Sequence, residues 1–187
     1  MEQMLFFRDK KNKVLVELYA EGICRVRQTQ LAAFKDYDDA IVMQKELIAE
    51  FEREEHSIAS SLIKVCFDER GYLEFYRKGE AEPRIMEHKS PRALHEGGRN
   101  LKALQGDLFR AECYFKAYDC EKIWGGGQHQ YNAFDQKGLS LPLHQMNSQV
   151  SVPFYISSRG YGLFWNNPGV GHVEFCRNWT RFVMEAT

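Results

Sequence analysis

The sequence predicts an all-β chain, an antiparallel β-sandwich, on three observations. Short runs alternate apolar and polar residues with a period of two. Turn-forming residues separate these runs at intervals of about ten residues. The 187 residues suit one domain spanning 1–187 and are too few for a sandwich followed by a (β/α)8 barrel.

Taken in order, Val14 to Tyr19 and Gly22 to Gln30 read as a first hairpin, with Glu17, Arg25 and Arg27 alternating with apolar positions. The basic run Lys10-Lys11-Asn12-Lys13 reads as a solvated turn ahead of the first strand. Residues 38–55 favour helix by local propensity, because Ile41, Val42, Leu47, Ile48 and Phe51 sit among Ala, Gln, Glu and Lys. Leu62 to Phe67 and Tyr72 to Tyr76 flank the charged turn Asp68-Glu69-Arg70-Gly71 and form a second hairpin. Residues 90–107 read as a polar, glycine-containing connection. Leu108 to Tyr118 alternates again, and strands are expected at 151–157, 161–165, 172–177 and 180–185.

Composition excludes several classes of function. With 25 basic and 26 acidic residues, the chain has no global field that would draw it to nucleic acid or to an anionic membrane. No apolar run is long enough to span a bilayer, and the N-terminus is not a secretory leader, so a cytoplasmic location is expected. Cys24, Cys66, Cys113, Cys120 and Cys176 are odd in number and widely spaced, which suggests reduced thiols, mostly in core positions.

The most informative stretch is Pro153-Phe154-Tyr155-Ile156-Ser157-Ser158-Arg159-Gly160-Tyr161-Gly162-Leu163-Phe164-Trp165-Asn166-Asn167-Pro168. It resembles a signature of the N-terminal domain of glycoside hydrolase family 31, which contains α-glucosidases and α-xylosidases. Ile123-Trp124-Gly125-Gly126-Gly127-Gln128-His129-Gln130 resembles the family's Y-G-x-G-[EQ] stretch, and Phe134-Asp135-Gln136-Lys137-Gly138 resembles its x-D-x-[KR]-G loop. The resemblance is sharp from Ile123 to Thr187 and diffuse from Ser57 to Tyr118.

It implies a galactose-mutarotase-like sandwich, strand rather than helix in 38–55, and a parent retaining α-glycosidase acting on an α-linked oligosaccharide. The partner implied is the catalytic barrel of the same parent chain, and neither cofactor nor metal is implied. In the family both catalytic carboxylates come from that barrel, the nucleophile within a W-x-D-M-N-E-like motif that this sequence lacks. No catalytic residue is therefore assigned here, and Asp107, Asp119, Asp135 and Glu174 read as solvated or capping groups. Relatives place a loop residue, often Asp within N-R-D, where this chain has Gln145-Met146-Asn147. The resemblance makes Asn147 the candidate substrate contact, an amide that both donates to and accepts from a sugar hydroxyl.

Trp124, Trp165 and Trp179 are alternative sugar platforms, with core packing the competing reading. His129 has no second ligand at metal-binding spacing. Asn178-Trp179-Thr180 matches a glycosylation acceptor, which has meaning only in a secreted chain. A different class of function, a free-standing carbohydrate-binding or scaffolding domain, fits the same strand pattern. A mutarotase-type epimerase would need a histidine and a carboxylate gathered at one sandwich face, and neither His144 nor His172 lies in a motif of that kind. Relatives continue past the equivalent of Thr187 into a further strand, so an open sheet edge and a homo-oligomer formed through it are expected.

Overall fold

A computed structural model describes residues 4–9, 11–35, 47–88, 98–130, 133–176 and 179–186, and among these there is no helix. The strands gather into two compact units, Met1–Pro83 and Arg84–Thr187. All pairings with assigned register are antiparallel, as the alternating pattern requires.

In the first unit, β1 (Met4–Asp9), β2 (Asn12–Ala20) and β3 (Ile23–Thr29) form a three-stranded sheet in that order. Asn12 and Lys13 of the basic run belong to β2 and pair with Asp9 and Arg8 of β1, so the run does not precede the first strand; Lys10 lies outside the described residues. β4 (Glu52–Arg53), β5 (Ser57–Ala59), β6 (Ile63–Phe67) and β7 (Leu73–Arg77) lie side by side in a second sheet. Period-two positions supply the core, in which Val14, Val16 and Leu18 of β2 meet Ile58, Val65, Phe67 and Leu73, and Phe7 stacks on Phe67 at 4.9 Å. The Asp68 turn forms as expected, its carboxylate accepting from the amides of Arg70 and Tyr72. Of the ambiguous stretch 38–55, residues 38–46 lie outside the described residues. The remainder holds no helix and includes the two-residue β4, in keeping with strand rather than helix.

The second unit holds β8 (Ile85–Met86), β9 (Arg99–Ala103), β10 (Phe109–Lys116), β11 (Ile123–Gln128), β12 (Ser140–Pro142), β13 (Val150–Ser157), β14 (Tyr161–Phe164), β15 (Val170–Phe175) and β16 (Trp179–Ala186). One sheet runs β12-β15-β16-β10-β9 and the other β11-β13-β14. They meet through an aromatic core. Tyr155 packs edge-on to Phe175 at 4.9 Å, and Trp165 stacks on Phe182 at 5.0 Å, which is the core role foreseen for Trp165.

The connection expected over 90–107 contains β9, which pairs with β10 at the sheet edge. Its Arg99, Asn100 and Lys102 weaken the apolar signal because an edge strand tolerates charge. The cysteines are free, but only Cys113 is fully buried and Cys120 is exposed, so they do not mostly fill the core. Cys113 faces the Glu87 carboxylate, and burial together with that neighbour pushes its thiol up.

Candidate functional site

Three features of the second unit converge on β13. The first is its partner β11, where Gly125, Gly126 and Gly127 all take positive φ, at 107°, 87° and 99°. A Cβ at Gly125 would overlap the Phe154 carbonyl oxygen, and one at Gly127 the Val150 carbonyl oxygen, so only glycine lets the two backbones approach so closely. The register breaks between Gly125 and Gly127, opposite the stretch containing Pro153. A proline inside a three-stranded sheet is tolerated here because its ring nitrogen faces the β14 side just past Phe164, where that strand has ended and the Pro153 carbonyl still accepts from the Trp165 amide at 2.8 Å.

The second feature is the turn that follows β13. Gly160 has φ +79°, as the tight Arg159-Gly160 connection requires. Arg159 is clasped on three sides. Its Nε donates to the Arg84 carbonyl at 2.9 Å, its own carbonyl accepts from the Arg84 guanidinium at 2.6 Å, and its guanidinium lies 3.6 Å over the Tyr118 ring. Beside it the buried Glu121 carboxylate accepts from the Ser157 hydroxyl at 2.5 Å and the Tyr161 hydroxyl at 2.8 Å, and Lys137 Nζ stands 3.6 Å away. Burial, with this carboxylate next to it, pushes the Tyr161 hydroxyl up. Asp135 caps the neighbouring loop, accepting from the amides of Ile123 and Lys137 at 3.0 Å each. The residues that carry the family resemblance therefore form a structural lock tying residues 121, 135–137 and 157–161 together.

The third feature is the loop 143–149 that leads into β13. Gln145 clamps Ser151 twice, donating to its carbonyl at 2.8 Å and accepting from its amide at 3.0 Å. The Gln149 amide closes a turn onto the Met146 carbonyl at 3.1 Å, and Ser148 sits at φ +64°. Asn147 is exposed at the tip of this turn. His129, from the end of β11, contacts the Gly126 carbonyl at 2.8 Å through Nε2 and lies 3.4 Å from the Gln149 side chain. It acts as a bracing histidine, and among the described residues no three His, Cys, Asp or Glu side chains gather to hold a metal.

Several carboxylates that sequence reasoning did not single out are buried, and each has a cationic neighbour. Glu17 meets Arg27, Glu87 meets Arg99, Glu112 meets Arg110, and Glu121 meets Lys137. They are structural ion pairs. On β15, His172 and Glu174, which lie in no recognisable motif, do meet, Nε2 to Oε1 at 3.4 Å. Their spacing of two along a strand was the signal that could have found them, since i and i+2 share a face. Arg181 binds both, at 2.7 Å to Glu174 and 3.3 Å to His172, so the trio satisfies itself and does not bracket a sugar ring.

The outward surface of the β11-β13-β14 sheet is apolar. Val150, Val152, Phe154 and Ile156 of β13 are between 43% and 51% exposed, while Ser151, Tyr155 and Ser157, facing inward, are at most 7% exposed. Phe164 pairs with Phe154 and Trp124 with Ile156, which puts all four on this same face. Phe134, 84% exposed, lies 6.2 Å from Trp124.

The comparisons with known proteins agree with this architecture. Residues 13–174 match the model of the glycosyl hydrolase 31 N-terminal galactose mutarotase-like domain. The chain is 32% identical, over 97% of its length and 38% of the relative's, to an uncharacterised family 31 glucosidase of Pseudescherichia vulneris. Over 42% of its length and 12% of the relative's, it is 34% identical to an α-xylosidase of Saccharolobus solfataricus. Among solved structures, an α-xylosidase from a soil metagenome complexed with xylose superposes with a TM-score of 0.86 and 29% identity, over 98% of this chain and 30% of that one. The chain thus spans well under half the length of these relatives. Its sandwich topology, its lock around Glu121 and the family model over 13–174 lead to one conclusion: this chain belongs to glycosyl hydrolase family 31, as its N-terminal galactose mutarotase-like domain.

Proposed function

We propose that the chain serves a retaining α-glycosidase, an α-glucosidase or α-xylosidase, as a non-catalytic domain that packs on the catalytic barrel and lends the tip of loop 143–149 to the rim of the sugar pocket. The observation that carries this reading is the build of that loop. Its base is held by the paired Gln145–Ser151 hydrogen bonds, while Asn147 stands exposed at the tip. A braced loop with a polar amide at its end suits positioning a sugar hydroxyl, because little side-chain freedom is lost on contact. The similarity to two α-xylosidases and a family 31 glucosidase supports the choice of substrate class.

The buried carboxylates of this chain are consumed by ion pairs, and the acid and nucleophile are assigned to the rest of the parent enzyme. The test is Asn147→Ala in the full-length enzyme. Catalytic efficiency should fall by roughly 1 to 3 kcal/mol of transition-state stabilisation, with thermal stability unchanged. Wild-type kinetics on both an α-xyloside and an α-glucoside would reduce Asn147 to a turn residue. A free-standing carbohydrate-binding domain is favoured only by the half-buried Trp124 beside the exposed Phe134, and it predicts millimolar or tighter sugar binding by the 187-residue chain alone.

A further inference from the structure

The ladder between β11 and β13 ends at the pair Gln128 and Val150, and the next two residues in that register are His129 and Gln149. Neither belongs to the ladder, so their side chains carry the pairing one step further. Gly126 has no opposite residue where the register breaks, and its carbonyl lies 2.8 Å from Nε2 of the His129 ring. A carbonyl only accepts, which places a proton on Nε2. The neutral ring then keeps a lone pair on Nδ1, 3.4 Å from the Gln149 carboxamide, and that carboxamide meets an acceptor once it turns its N–H inward. His129 thus joins the glycine run of β11 to the limb of loop 143–149 that follows the tip.

Gln149 has a second task. Its backbone amide closes the turn onto the Met146 carbonyl at 3.1 Å, and the residue before it, Ser148, stands at φ +64°, a conformation that a residue other than glycine holds where its neighbours impose it. The limb before the tip is held by the Gln145–Ser151 pair, and the limb after it by His129. We propose that His129 is a positioning residue for the reaction of the parent enzyme: through Gln149 it sets the direction in which the tip presents the Asn147 amide to the substrate. The inference rests on the rim contact given above and adds to it the residue that aims it. His129 acts through Gln149 and Asn147, with no contact to the sugar of its own. A rigid ring between a sheet carbonyl and a turn residue suits this task, because a displacement of about 1 Å at a substrate contact is enough to cost a large factor in rate.

The experiment is a double-mutant cycle in the full-length enzyme, with an aryl α-xyloside and an aryl α-glucoside as substrates. His129→Ala should lower kcat/KM roughly fivefold, through the same parameter, KM or kcat, that Asn147→Ala changes, and it should add nothing further on the Asn147→Ala background. Gln149→Ala removes the same contact from the loop side while its backbone bond to Met146 stays, so it should match His129→Ala, and the two together should cost no more than either alone. His129→Gln keeps a donor and an acceptor and should recover most of the activity. Wild-type kcat/KM in His129→Ala and Gln149→Ala, with Asn147→Ala impaired, overturns the positioning role and leaves the rim contact standing. So does a loss in His129→Ala that recurs in full on the Asn147→Ala background, which would make His129 a support of the fold alone. Should His129→Ala fail to fold, Gln149→Ala decides by the same two comparisons. Wild-type kinetics in Asn147→Ala would remove the rim contact itself, and the positioning role with it.

Discussion

The hairpins β6–β7 and β13–β14 are built alike and finished differently. In β6–β7, Val65, Phe67 and Leu73 enter the core, and the opposite face carries Lys64, Cys66, Glu74 and Tyr76, with the Tyr76 hydroxyl donating to Glu74 at 2.6 Å. That hairpin settles both of its faces with its own residues. In β13–β14 the inner face rests on buried hydroxyls and Tyr155, and the outer face offers Val150, Val152, Phe154, Ile156 and Phe164 to whatever lies beyond it. The difference shows that the direction in which a strand points its apolar residues reports on the final assembly, and not only on the core of the unit in which it sits.

The comparison can be broken most severely at the polar support of β13. Glu121→Ala removes the acceptor for Ser157 and Tyr161 and leaves Lys137 buried without its counter-charge, so stability should fall by about 3–5 kcal/mol in urea denaturation. A loss below about 1 kcal/mol would mean that the inner face of β13 does not depend on this carboxylate. Next, Leu73→Ala in β7 should cost about 2–5 kcal/mol, the usual penalty for emptying a fully buried leucine site. Gly160→Val tests the turn of the β13–β14 hairpin. A Cβ there meets nothing closer than the Arg84 guanidinium at 3.5 Å, so the cost is that of a β-branched residue at positive φ, about 1–3 kcal/mol, seen as a lowered melting temperature. The smallest effect sharpens the contrast: Ile156→Thr in the 187-residue chain should change stability by no more than about 0.5 kcal/mol, against the large loss at Leu73. A loss at Ile156 to match that at Leu73 would show the row to be core already.

Much of this was legible from the sequence. The hairpins at 14–30 and 62–76 follow from alternation and from Asp68 and Gly71, and the all-β class follows from their recurrence. β9 was hidden because Arg99, Asn100 and Lys102 belong to an edge, where charge replaces apolar alternation. β11 was hidden because three glycines carry no period at all, although their role in close backbone approach was readable. The meeting of His172 and Glu174 was visible in their i, i+2 spacing, but Arg181, which makes it structural, arrives from the next strand. The orientation of β13 could not be read, since alternation gives the period of a strand and not which of its two faces is covered.

The double clamp of Gln145 on Ser151 has a consequence for how such a domain changes over time. It places a boundary between the sandwich and the three residues Met146, Asn147 and Ser148, because the strand beyond is registered by the clamp and not by the tip. A tip insulated in this way can be rewritten, shortened or given a charge while β13 keeps its alignment with β11 and β14. The scaffold and the part that meets the ligand can then diverge at separate rates, so one sandwich can serve enzymes with different sugar preferences.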